Sequence, residues 1–115
     1  MTLRLRTAGL ALIGLVALAC EGPETLDDRP CTPRGAALTY DGFGRGFFAR
    51  WCVTCHGAGE GKSSRSFTTL ESIRAARARI FVNAAADNTA MPPGPDDPPR
   101  DEREQLADWL ACGAP

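Results

Sequence analysis

Cys52-Val53-Thr54-Cys55-His56 is the stretch that decides how this chain is read. Two cysteines separated by two residues, with histidine directly after the second, form the attachment pattern of c-type haem. Each thiol can add across a haem vinyl group, and the adjacent imidazole can then reach the iron. The chain has a single histidine, His56, and two methionines, Met1 and Met91. Once an N-terminal leader is removed, His56 and Met91 are the obvious pair of axial ligands, His56 proximal and Met91 distal. Lys62 is the remaining substitute for the distal place. Met91 also opens a segment stiffened by Pro92, Pro93, Pro95, Pro98 and Pro99, each of which fixes φ.

The N-terminus bears on where this chemistry happens. Arg4 and Arg6 precede an apolar run from Ala8 to Ala19, interrupted by Gly9 and Gly14. That run is shorter than the about 20 residues a transmembrane helix needs. A basic start, a short apolar core and small residues at the cut describe an export signal. Ala17-Leu18-Ala19-Cys20 resembles a bacterial lipobox, and the resemblance implies a lipoprotein-type signal over 1–19 with lipid on Cys20. The alternative is an ordinary signal peptide cut near Ala19. Residues 20–39 are rich in Pro, Gly and charge and are expected to be the lipid anchor and a tether, with the haem domain over 40–115. The protein is then exported and lipid-anchored to a bacterial membrane, facing the periplasm or the cell exterior.

Cysteine arithmetic agrees with that division. Of five cysteines, lipid takes Cys20 and haem takes Cys52 and Cys55. Cys31 and Cys112 remain, and an oxidising compartment lets them pair as a disulfide. Such a bridge closes most of the domain into one loop, worth about 4–5 kcal/mol in the chain-entropy model. The alternative is two separate thiols. The chain carries 13 basic and 14 acidic side chains, and loss of Arg4 and Arg6 with the leader takes the net charge from −1 to −3. That mild balance argues against nucleic acid as a partner, which asks for a concentrated basic surface.

The pattern predicts an all-α domain of about three helices around one haem. The first runs from about Asp41, a candidate N-cap, to Cys52, with Phe43, Phe47 and Trp51 on one face and Phe48 beside them. Gly42, Gly44 and Gly46 are unfavourable in a helix and point to a second helix crossing close by. The second runs from about Thr69 to Ala85. Thr68-Thr69-Leu70-Glu71 fits a capping box, and Ile73, Ala76, Ile80 and Ala84 form the apolar stripe. Arg74, Arg77 and Arg79 are expected on a solvated face. The third runs from about Pro99 to Cys112, capped by Asp97, with Leu106, Trp109 and Leu110 facing inward and Gly113 ending it.

Three blocks in order resemble class I c-type cytochromes: Gly44 to His56, Met91-Pro92-Pro93, and Leu106-Ala107-Asp108-Trp109-Leu110. The ending Trp109 to Pro115 also resembles small exported haem lipoproteins of bacteria. In the family a glycine and an aromatic of the first helix pack against the last helix. Gly44 and Phe48 would carry that role against Leu106 and Trp109. The resemblance implies one covalent haem c on Cys52 and Cys55, with His56 and Met91 at iron. It also implies outer-sphere transfer of single electrons to a redox protein partner, with no enzymatic step of its own. The family often places a proline soon after the haem motif to orient the proximal histidine. None lies between Gly57 and Ala90 here, so the orienting partner of His56 is unassigned.

Three other readings remain. A haem sensor or peroxidase-like protein would leave the sixth iron position open, which requires Met91 to stand away from the metal. Zinc could use Cys52 and Cys55 with Cys31 or Cys112. A thioredoxin-like thiol motif would want a βαβ setting, and no segment shows strand alternation.

Overall fold

A computed structural model of the chain describes residues 22–57 and 63–115. Residues 1–19, expected to be a signal segment, Cys20 and Lys62 lie outside the described residues. Helix α1 spans Pro33–Ala37 and follows a 3-10 turn at Leu26–Asp28. A wide π turn, Tyr40–Gly44, runs directly into α2, Arg45–Trp51. Helices α3 (Leu70–Ala75), α4 (Arg77–Ala84) and α5 (Arg100–Ala111) complete the body. There is no strand among the described residues, and the fold is all-α. None of the described helices is long and apolar enough to cross a membrane.

The first helix begins on Thr39 rather than Asp41. Thr39 is extended, and its hydroxyl accepts from the Gly42 N–H at 3.0 Å. Asp41 sits one turn on, where Arg45 engages its carboxylate. Gly44 supplies the close approach its position suggested. A Cβ built there would stand 2.7 Å from two ring atoms of Trp109. The Trp109 ring packs beside Phe43 and Phe48, with centroids 6.0 and 6.2 Å away. So α2 and α5 cross with a tryptophan laid across a bare backbone.

The second predicted helix is two. Ala76 leaves the helical region (φ −99°, ψ 7°), separating α3 from α4. The cap is Thr69 with Ser72 as its reciprocal partner, one residue later than the Thr68–Glu71 box. Ile73, Ile80 and Ala84 stay inward across the break, and Phe81 beside Ile80 is fully buried as well. Arg74 is not simply solvated, because its Nε donates to the Ala114 carbonyl at 2.9 Å.

Helix α5 starts without a side-chain cap at Pro99, and Asp97 instead faces Arg103 as an ion pair at 3.7 Å. Leu106, Trp109 and Leu110 are fully buried, and Gly113 ends the helix with a positive φ of 92°.

Residues 22–39, expected as tether, instead pack on the body. Leu26 and Leu38 pack against the core. Arg29 bridges to Glu104 at 2.6 Å and Asp108 at 2.8 Å, and also meets Glu24. Cys31 and Cys112 are joined by a disulfide, 81 residues apart in sequence. At Gly35 a Cβ would meet the Asp108 backbone and stand 2.9 Å from the Cys112 sulfur, so α1 crosses α5 at very short range. The charge and proline content of this segment suggested a tether. The disulfide and the Arg29 carboxylate cluster are what hold it down.

Candidate functional site

The end of α2 builds the site. Beyond Trp51 the chain coils into a tight turn: Cys52 N–H donates to the Phe48 carbonyl at 2.9 Å, and His56 N–H to the Cys52 carbonyl at 2.9 Å. This winding brings Cys52, Cys55 and His56 to one wall of a single cleft, with both thiols free. Burial pushes the Cys52 thiol up to about 12, against a smaller opposing pull from the Arg103 charge. Cys52 therefore sits there as a neutral, apolar thiol rather than a thiolate.

The loop returning from this turn orients the imidazole. Phe67 N–H donates to the His56 carbonyl at 2.8 Å, and the two rings stack with centroids 4.6 Å apart. His56 Nδ1 lies 3.0 Å from the Arg65 carbonyl oxygen. A carbonyl can only accept, so Nδ1 carries the proton and Nε2 keeps its lone pair for a metal. The orienting partner that the missing proline left open is thus the Arg65 main chain. No side-chain pattern announces a carbonyl, which is why sequence reasoning could not find it.

The opposite wall comes from α4 and the segment after it. Ile80, Asn83 and Ala84 line it together with Met91, Pro92 and Pro93. The Met91 N–H donates to the Asn83 carbonyl at 2.8 Å, while its side chain is 45% exposed. Phe47, Phe48 and Trp51 form the inner end, and the Trp51 indole N–H donates to a Glu102 carboxylate oxygen at 2.7 Å. Arg65 and Arg79 also line the cleft, and no carboxylate does so among the described residues. Cys31 and Cys112, bonded to each other, lie elsewhere against α5, so neither is available to complete a zinc set with Cys52 and Cys55.

The cleft is open to solvent on one side and has a cavity volume of about 260 Å³. Its walls suit a flat apolar macrocycle: aromatic and aliphatic side chains inside, two thiols at one edge, and nitrogen and sulfur donors among the linings. Two guanidiniums without a competing carboxylate suit the carboxylates that haem carries. The residues present therefore fit haem.

The model of the family described as cytochrome C oxidase, cbb3-type, subunit III matches residues 43–110. The match runs from Phe43 in the π turn, through the Cys52–His56 turn and the cleft walls, to Leu110 in α5. No curated protein and no solved structure matches the chain. With more than half of its length matched, the chain belongs to the cytochrome C oxidase, cbb3-type, subunit III family, and its folded body is a c-type cytochrome domain whose work is electron transfer through haem.

Proposed function

We propose that the protein is a mono-haem cytochrome c that shuttles single electrons on the exported side of a bacterial membrane, anchored by lipid on Cys20. Cys52 and Cys55 hold one haem by adding their S–H groups across its vinyl groups. His56 Nε2 is the proximal ligand and Met91 sulfur the distal one. The observation that carries this reading is the gathering of Cys52, Cys55, His56 and Met91 on one cleft, with His56 Nδ1 already committed to Arg65.

Haem supplies the Fe(III)/Fe(II) couple. The chain's own residues hold, orient and exclude water. Arg65 and Phe67 fix the plane and tautomer of His56. Phe47, Phe48 and Ile80 provide low-dielectric walls. Met91 contributes a soft donor, which favours the ferrous state. With His56 and Met91 both serving as donors, the cleft would leave no position for a substrate, and its open edge would face a protein partner.

Covalent attachment is tested by haem staining after denaturing electrophoresis of protein made with haem-maturation machinery. Removal of all haem by acid-acetone would defeat it. Anchoring is tested by Cys20→Ser, which moves the protein from the membrane to the soluble fraction. The exposure of the Met91 side chain favours one rival, an open-iron sensor or peroxidase. Carbon monoxide separates the two: the carrier binds it slowly, the sensor at once.

A further inference from the structure

Arg103 is an arginine inside the core. It stands three residues before Leu106 and seven before Leu110 on the inward stripe of α5, and only 3% of it is exposed. Its Nη1 donates to the carbonyls of Ala84 at 2.9 Å, Asn88 at 3.1 Å and Met91 at 2.8 Å. Its Nε donates to the Pro98 carbonyl at 3.2 Å. In return its own carbonyl accepts from the Ala86 N–H at 3.0 Å. Nη2 has no hydrogen-bond partner among the described residues, and Asp97, half exposed, is 3.7 Å from it.

A buried guanidinium is a costly way to fill space, and an apolar residue of similar volume is commonly as good or better for stability alone. What the guanidinium does that leucine cannot is hold carbonyls in place. The segment it grips needs this. Five prolines, Pro92, Pro93, Pro95, Pro98 and Pro99, offer no N–H, so the segment has few donors with which to tie itself down. Donors must come from outside, and Arg103 supplies them at both ends: Ala84 where α4 stops, Pro98 just before α5 starts, Asn88 and Met91 between. Met91 is bonded through both peptide groups, its N–H to Asn83 and its carbonyl from Arg103.

We propose that Arg103 is the positioning residue for the distal ligand: its side chain holds the Met91 backbone at the cleft wall and thereby keeps the Met91 sulfur at iron. This rests on the assignment of Met91 as distal ligand. Arg103 does not line the cleft and acts through the segment that carries Met91.

The test uses full-length protein carrying haem, with Arg103→Gln, Arg103→Lys and Met91→Ala made in parallel. Arg103→Gln should keep covalent haem but lose much of the weak long-wavelength sulfur-to-ferric band. It should bind carbon monoxide faster by roughly tenfold or more, the scale expected when several buried carbonyls lose their donor. Arg103→Lys, with the charge and some donors retained, should recover part of the band. A wild-type band and carbon monoxide rate in Arg103→Gln, alongside an opened iron in Met91→Ala, would overturn the proposal and leave the ligand assignment standing. A wild type that already binds carbon monoxide as fast as Met91→Ala would instead overturn the ligand assignment and the proposal with it. If Arg103→Gln does not fold, hydrogen exchange on the wild type decides. The Arg103 Nε–H and the Met91 amide should open together, and a Met91 amide that exchanges more than about tenfold faster than the Arg103 Nε–H would reject the clamp.

Discussion

Gly44→Ala and Gly46→Ala make the same chemical change two residues apart and should have opposite signs. At Gly44 the added methyl would stand 2.7 Å from two Trp109 ring atoms and 3.1 Å from a Tyr40 ring atom. Carbon–carbon contact is comfortable at about 3.5–4.0 Å, so the overlap is about 1 Å. Trp109 cannot swing aside. It is fully buried, and its indole N–H is held by the Pro115 carbonyl at 3.2 Å. Overpacking of this kind costs about 1–3 kcal/mol. Two rigid rings place it in the upper part of that range, and alanine's better helix propensity returns about 1 kcal/mol. The net expectation for Gly44→Ala is a loss of about 1–2 kcal/mol. At Gly46 a methyl would meet nothing within 4 Å. Only propensity acts there, a gain of about 0.5–1 kcal/mol. For a domain of this size 1 kcal/mol moves Tm by about 4–8 °C, so the two variants should differ by at least roughly 6 °C. Circular dichroism melts and denaturant titrations of the haem-loaded variants measure this. A Gly44→Ala protein as stable as wild type would refute the reasoning, since it would mean the two helices do not meet at that backbone.

On the proposed ligation, Met91→Ala should keep the covalent haem and lower the reduction potential, because a soft ligand favouring Fe(II) would be gone; potentiometry under a visible spectrum reads it. Replacing Cys31 and Cys112 together with serine should cost about 4–5 kcal/mol, the chain entropy of an 81-residue closure, seen as a lower denaturant midpoint. Glu104 should contribute acid sensitivity. The hydrogen bond from Arg29, outweighing partial burial, holds its carboxyl below the ordinary 4.5. A depressed folded value gives stability that is complete above the unfolded value and is lost as pH falls through the folded one. Glu104→Gln should therefore flatten the stability profile below about pH 4.5 and leave its shape near neutrality unchanged, as chemical denaturation across pH would show.

What could be read in advance had a local signature. The gathering of Cys52, Cys55 and His56 on one cleft, the glycine that admits a tryptophan and the inward face of α5 each depend on residues close in sequence or on strict helical spacing. The misses were of another kind. The chain breaks at Ala76 and buries Phe81 beside Ile80, and no residue type marks such a break. The packing of residues 22–39 came from pairings across the chain, Arg29 with Asp108 and Cys31 with Cys112. Composition alone read that segment as a spacer. The Arg65 carbonyl beside His56 is main chain, invisible to any motif. Arg103 was the one miss with a usable sign, since its spacing from Leu106 and Leu110 puts a cation on the apolar stripe.

The hydrogen bond from His56 Nδ1 to the Arg65 carbonyl has an electronic consequence. That bond strengthens Nε2 as a donor to a metal, and a stronger nitrogen donor favours ferric iron. On the proposed ligation, Met91 sulfur would pull the other way. The midpoint of the couple is then a balance between two stretches of backbone on facing walls, 63–67 and 85–98. Lengthening the His56–Arg65 hydrogen bond would then retune the protein without changing a ligand. A lineage adjusting its potential to a new partner could do so through residues that never touch the cofactor.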